Sequence, residues 1–196
     1  MPLLSVSVDG VQVAAVTTDG LDVLTANLGG TKIDEEFAHL ELSGGKYPSE
    51  GESTHLIWLN GLVVKSGQRI RVEIDASGAS SHAGKTINEL FPEETEEPES
   101  SPLLSAVVDI LEHRPKVRSD YHFAINASQG ESCTARISLE EHGFGVSFLW
   151  NSVSADRVSA SLHTYSLEQL RSGGGFTYHW RKHLRAGEWA EISIDA

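Results

Sequence analysis

Leu3-Leu4-Ser5-Val6-Ser7-Val8-Asp9-Gly10-Val11-Gln12-Val13-Ala14-Ala15-Val16-Thr17 decides the fold. Apolar residues alternate with small polar ones on both sides of Asp9-Gly10, the period of a half-buried strand. Asp-Gly between two such runs is a tight hairpin turn. The stretch therefore predicts strands over Leu3–Val8 and Val11–Thr17. The same alternation predicts further strands over Asp22–Leu28, Glu36–Leu42, Thr54–Leu59 and Gln68–Asp75. Asp19-Gly20, Gly29-Gly30, Gly44-Gly45 and Ser66-Gly67 read as the turns between them. The first half is thus a meander of short antiparallel strands.

The second half repeats the plan. A shift of 120 residues lays Gly10 on Gly130, Val13 on Cys133, and Leu24, Ala26 and Leu28 on Phe144, Val146 and Phe148. It lays Ala38, Leu40 and Leu42 on Val158, Ala160 and Leu162, and Ile74-Asp75-Ala76 on Ile194-Asp195-Ala196. Trp58 and Trp180 miss this register by two residues and read as one shared core position. The fold expected is all-β with minor α, built by tandem duplication from two related antiparallel β-sandwich-like modules. A module of this size is marginal alone, so the two are expected to pack together or to draw on the linker.

The organisation expected is an acidic β module over 1–76, a linker over 77–102, and an aromatic-rich β module with a leading helix over 103–196. Glu89, Glu93, Glu94, Glu96, Glu97 and Glu99, with Pro98 and Pro102, mark a solvated, acidic linker. Within it, Thr86–Phe91 reads as one helical turn before Pro92. Leu103-Leu104, Val107-Val108 and Ile110-Leu111 recur at helical spacing after Pro102 and predict a helix over 103–113, N-capped by Ser101. A second short helix is expected over Leu167–Arg171.

Of the 196 residues, 28 are acidic and 15 are Lys or Arg, a formal net charge of -13. Residues 1–100 carry 17 acids against 6 bases, while ten of the fourteen aromatics fall after residue 100. This balance argues against unaided binding to nucleic acid or an anionic membrane. No apolar run approaches a membrane span, and no leader pattern precedes the first strand, so a cytoplasmic setting is expected. One cysteine, Cys133, rules out an internal disulfide framework and a multi-cysteine zinc site.

Motifs for chemistry are weak. Gly84-Lys85-Thr86 has the end of a phosphate loop, but Gly78 stands one residue too far upstream, and glutamates follow. It reads as a linker turn. His179 and His183 have the spacing of a helical metal pair but fall on a strand among Arg181, Lys182 and Arg185. His39 and His163 sit on the outward side of their strands. Cys133 has the setting of a small core residue, and no nucleophile elbow occurs. No catalytic residue, cofactor or metal is assigned. Trp150 and Trp189 are less constrained and are candidates for a surface position.

The remaining signal is an acidic surface beside aromatics. Charge of one sign speeds encounter with a partner of the other, and aromatics anchor interfaces. The candidate partner-binding residues are Asp34, Glu35, Glu36, Glu93, Glu94, Glu96 and Glu97 for charge, with Tyr178 and Trp189 as anchors; Tyr165 and Phe176 lie nearby in sequence.

The pattern from Asp19-Gly20-Leu21-Asp22-Val23-Leu24 through Ser43-Gly44-Gly45, Trp58 and Gly84–Pro92 resembles small bacterial proteins of unassigned function. In size, acidity and lack of catalytic motif the chain is similar to the immunity proteins that accompany secreted toxins of contact-dependent and type VI secretion systems. That resemblance implies a cytoplasmic, non-enzymatic protein that neutralises a basic toxin or effector, nucleases included, by stoichiometric binding. Immunity families share no one fold, so it transfers no individual residue. The alternatives are an adaptor or chaperone for a secreted effector, and a metal-dependent hydrolase using His179, His183 and a neighbouring carboxylate.

Overall fold

In the computed structural model, which describes residues 1–92 and 104–196, the alternation resolves into twelve strands. The first half supplies β1 (Leu3–Val8), β2 (Val11–Thr17), β3 (Val23–Thr31), β4 (Ala38–Lys46), β5 (Thr54–Val64) and β6 (Arg69–Asp75). The second supplies β7 (His122–Ala127), β8 (Glu131–Arg136), β9 (Gly143–Asn151), β10 (Val158–Tyr165), β11 (Thr177–Leu184) and β12 (Glu188–Asp195). Three short helices lie among the described residues: α1 (Ile87–Leu90), α2 (Leu104–Glu112) and α3 (Leu167–Ser172). None is long and apolar enough to cross a membrane.

Two six-stranded antiparallel sheets result, ordered β2-β1-β6-β12-β7-β8 and β11-β10-β9-β3-β4-β5. Each half gives three strands to each sheet, so the repeats are joined side by side in both layers. At the two joins Arg71 pairs with Glu191 and Asn27 with Ser147, residues 120 apart in each case. The shift read from the sequence is therefore the pseudo-twofold axis of the fold, which passes through these two pairs. The inward residues of both halves make one core, in which Phe123 and Phe144 meet edge-on at 4.9 Å and Tyr121 meets Phe144 at the same distance. Sharing one core removes the handicap of a module too small to bury enough apolar surface.

Both hairpin turns use the left-handed conformation, at Asp9 (φ 51°) and Gly10 (φ 79°) and at Gln129 (φ 71°) and Gly130 (φ 78°). That is the twist a two-residue hairpin demands. Beyond the turns, bulges shift the repeat. An extra residue at Val13 makes Ala14 the counterpart of Cys133, since each faces the equivalent strand position, Val6 or Ile125. Ala14 is buried and Cys133 is packed against the core. A second bulge recurs in both halves between Leu42 and Ser43 and between Leu162 and His163. It makes Trp58 the counterpart of His179, and Leu59 that of Trp180, so the expected pairing of the two tryptophans is off by one residue. Trp150 is no surface residue: it is 1% exposed in the core, and its Nε1 donates to the Ala155 carbonyl at 3.2 Å.

Strands β3 and β4 run three and four residues past their expected ends, through glycines that read as turns. Those glycines serve close approach instead: a Cβ at Gly30 would lie 2.7 Å from the Phe144 ring, and one at Gly44 2.5 Å from the Val23 carbonyl oxygen. The stretch after β6 also departs from expectation. Residues 77–86 form a strap across the open side of the first half. Ser81 holds the edge strand β2 with its backbone and its side chain: its N–H donates to Ala15 O at 2.8 Å, and its Oγ accepts from Ala15 N at 3.0 Å. Lys85 then bridges the other sheet's edge at Ile57, with N···O distances of 2.8 and 2.9 Å. Gly84 lies against the Trp58 ring, and Thr86 caps α1 in a reciprocal capping box with Glu89. Gly84-Lys85-Thr86 is thus a strand bridge and a cap, not a simple turn. The N-cap expected at Ser101 lies outside the described residues.

Candidate functional site

Pairing across the second sheet sets one outward row in order: Tyr178, His163, Gly145, Gly29, His39 and Val63. The next row is Arg181, Ser161, Ser147, Asn27 and Glu41, and the one after it is His183, Ser159, Leu149, Thr25, Ser43 and Ile57. The strand period forces this outcome, because the alternate residues are the buried apolar ones. The middle of the face is therefore low and mostly polar, floored by glycine, serine, threonine and asparagine and interrupted by the exposed Leu149.

One side is an aromatic and basic wall. The Phe176 ring lies 4.4 Å from that of His163 and 6.2 Å from that of Tyr165. The Arg181 guanidinium sits on the Tyr178 ring, 3.4 Å from its centroid. His163 lies across Gly145, where a Cβ would come within 2.6 Å of its Nε2. Burial lowers the His163 pKa, and its Nδ1 is buried without a partner. Burial, and then the Asp34 charge, raise the pKa of Tyr165. Along this wall Ser159, Ser161, Tyr178, Arg181 and His183 line a cavity of about 500 Å³.

The other side is acidic. Glu41 stands on β4, and Glu36 pairs with His39 at 3.1 Å. Asp34 accepts from Thr31 Oγ1 at 2.7 Å. The loop carrying Asp34, Glu35 and Glu36 is pinned from beneath. The Arg118 guanidinium donates to the Asp34 and Glu35 carbonyls, and the Tyr121 hydroxyl lies 2.8 Å from Thr31 O and 3.0 Å from Phe37 O.

Of the expected partner-binding residues, the fold thus brings Asp34, Glu36 and Tyr178 to the same face, with Glu35 exposed in the loop beside it. Trp189 is elsewhere. It stands on the outer face of the other sheet, half-buried beneath Arg71, whose Cζ is 4.1 Å from the ring centroid. Glu93, Glu94, Glu96 and Glu97 lie outside the described residues. Sequence reasoning missed Arg181 and His163 as parts of the wall; outward alternation was their signal.

The groups with catalytic potential are arranged differently. The bulge turns His179 inward, where its Nε2 lies 2.8 Å from Thr164 Oγ1, which donates to Glu141. His183, unshifted, faces outward with its Nδ1 3.3 Å from Ser159 Oγ, so the two histidines do not converge. Thr164 is 0% exposed, which closes its hydroxyl to a substrate and makes the trio an anchor for the loop before β9. Glu141 is penalised by burial, but hydrogen bonds from Thr164 and Ser138 outweigh this and hold its pKa below the usual value. Lys32, which sequence reasoning passed over, is fully buried, with Nζ 2.6 Å from the Ser138 carbonyl; burial lowers its pKa. Among the described residues no three metal-binding side chains come together.

No family model, curated protein or solved structure matches this chain. The class it defines is a duplicated antiparallel β-sandwich whose two halves share both sheets.

Proposed function

We propose that this chain is a non-catalytic protein-binding domain, most concretely a cytoplasmic inhibitor that holds a basic toxin or effector in a stoichiometric complex. The outer face of the second sheet carries this reading. Six strands at about 4.8 Å spacing and eight residues at about 3.3 Å each make it roughly 650 Å². That approaches the roughly 800 Å² per partner of a stable interface. Its low middle admits a broad surface, and Tyr178 and Phe176, each 45% exposed, supply anchors of the type that dominate binding energy. The net charge of -13 would steer a basic partner toward it.

The test is capture of tagged protein from its native cells at low salt, repeated with Tyr178→Ala, with Glu36→Lys/Glu41→Lys, and with Trp189→Ala. One dominant partner should come along near one-to-one, be lost in the first two variants, be retained in the third, and kill cells when expressed alone. A partner that survives both face variants, or that is lost only with Trp189→Ala, refutes this reading. A non-toxic partner would make the protein an adaptor.

A further inference from the structure

The two halves of the sandwich are closed differently, although their strands correspond. In the first half the strap covers both edge strands, reaching Ala15 on β2 and Ile57 on β5. The equivalent edge positions in the second half are Thr134 and Tyr178. Ala15-Ser5-Glu73 corresponds to Thr134-Ala124-Ser193, and Ile57 opposite Ser43 to Tyr178 opposite His163. Among the described residues no strand or strap bridges β8 or β11 on this side; only side chains cross between them, Lys182 to Glu131 and the Cys133 thiol to the His179 carbonyl. Polar groups beside this seam are left over: Trp180 Nε1 and Ser128 Oγ are buried with no hydrogen-bond partner.

We propose that the β11 edge takes an extended segment of the partner protein as an added strand, with an acidic residue opposite Tyr178. The proposal rests on the protein-binding reading above and names where and how the partner docks. An unpaired edge is a template for another chain, and main-chain hydrogen bonds would supply the affinity. Lys85 opposite Ile57 shows that the module accepts such a bridge. Charge selects the occupant. Residues paired across strands share a face, so a carboxylate opposite Tyr178 would stand beside the Arg181 guanidinium already seated on that ring. Arg181 and Arg185 have no ion-pair partner among the described residues. A second copy pairing through β11 would bring the Arg181 and Arg185 side chains of both copies to one edge, like charge against like, which is unfavourable.

The test is an NMR titration of the full ¹⁵N-labelled chain with two synthetic nine-residue peptides, residues 78–86 unchanged and the same peptide with Lys85→Glu. At about 1 mM the glutamate peptide should shift the Tyr178 amide and the Trp180 indole N–H. It should bind at least fivefold more tightly than the lysine peptide and lose that advantage in Arg181→Glu. Equal binding of the two peptides, or no change at Tyr178, overturns the proposal. So do shifts confined to Ile57, which would mean strap displacement, or peptide-independent broadening of β11, which would assign the edge to a second copy. If a captured partner still depends on the sheet face while the peptides leave β11 untouched, the docking mode fails and the protein-binding reading stands.

Discussion

Tyr121→Phe removes one oxygen from the support of the acidic loop. Its ring is fully buried, and the hydroxyl lies between the carbonyls of Thr31 and Phe37, the two ends of the segment that carries Asp34, Glu35 and Glu36. The hydroxyl has one proton, so the loss is one full hydrogen bond plus partial desatisfaction of a second carbonyl. At about 1 kcal/mol per net hydrogen bond, and somewhat more for a buried acceptor left bare, the cost is about 1–2 kcal/mol. For a chain of this size that is a fall in Tm of about 3–6 °C. The pH dependence separates this mechanism from a packing defect. Burial raises the Tyr121 pKa above its ordinary value. Above about pH 10 the unfolded phenol ionises first, so wild-type stability falls through that window. The phenylalanine variant lacks this loss, and its deficit should shrink between neutral pH and about pH 10.5. Urea denaturation at the two pH values measures both quantities. A deficit below about 0.5 kcal/mol at pH 7, or one unchanged at high pH, would refute the assignment of this hydroxyl as the clamp on the loop.

Gly145→Ala sets a methyl group 2.6 Å from His163 Nε2 while leaving the core untouched. The ring should swing off the floor into water, its lowered pKa should rise toward about 6.5, and stability should change by less than about 1 kcal/mol because only the end of a side chain must move. Histidine titration by NMR reads the shift. Thr164→Val removes the hydroxyl joining His179 and Glu141, at a cost of about 1–3 kcal/mol at neutral pH. Because the Glu141 pKa is lowered in the folded protein, its stabilising contribution is present above the unfolded pKa and lost as pH falls through the folded one. The variant's deficit should therefore narrow in acid, as guanidinium denaturation at pH 7 and pH 3 would measure.

The face was partly legible beforehand. Alternation alone places His39 and His163 outward, because the strand period is local and each residue's side follows from its neighbours; Tyr178 has the parity of the buried Trp180 and reaches the face only through the bulge at His179. Asp34 and Glu36 were legible as acids, but not as residues of the face that carries Tyr178, since the β3–β4 loop and β11 belong to different halves, which meet in this sheet only through the β3–β9 join. The separation of Trp189 from Tyr178 was illegible for the same reason. It is an aromatic on a strand like Tyr178, yet its strand lies in the other sheet.

What the sequence determined by itself is the alternation, the Asp9-Gly10 turn, the duplication at 120 residues, and the short helices. Each depends on residues close in the chain or on a comparison of like with like. Only the tertiary structure decided that the halves share both sheets, because the pairings β6–β12 and β3–β9 join residues 120 apart, and alternation is satisfied by any antiparallel neighbour. It also decided the bulges at Val13, Trp58 and His179, where one extra residue reverses a side chain without changing the composition around it. His179 turns inward for this physical reason: burial follows register, and register is set by the partner strand.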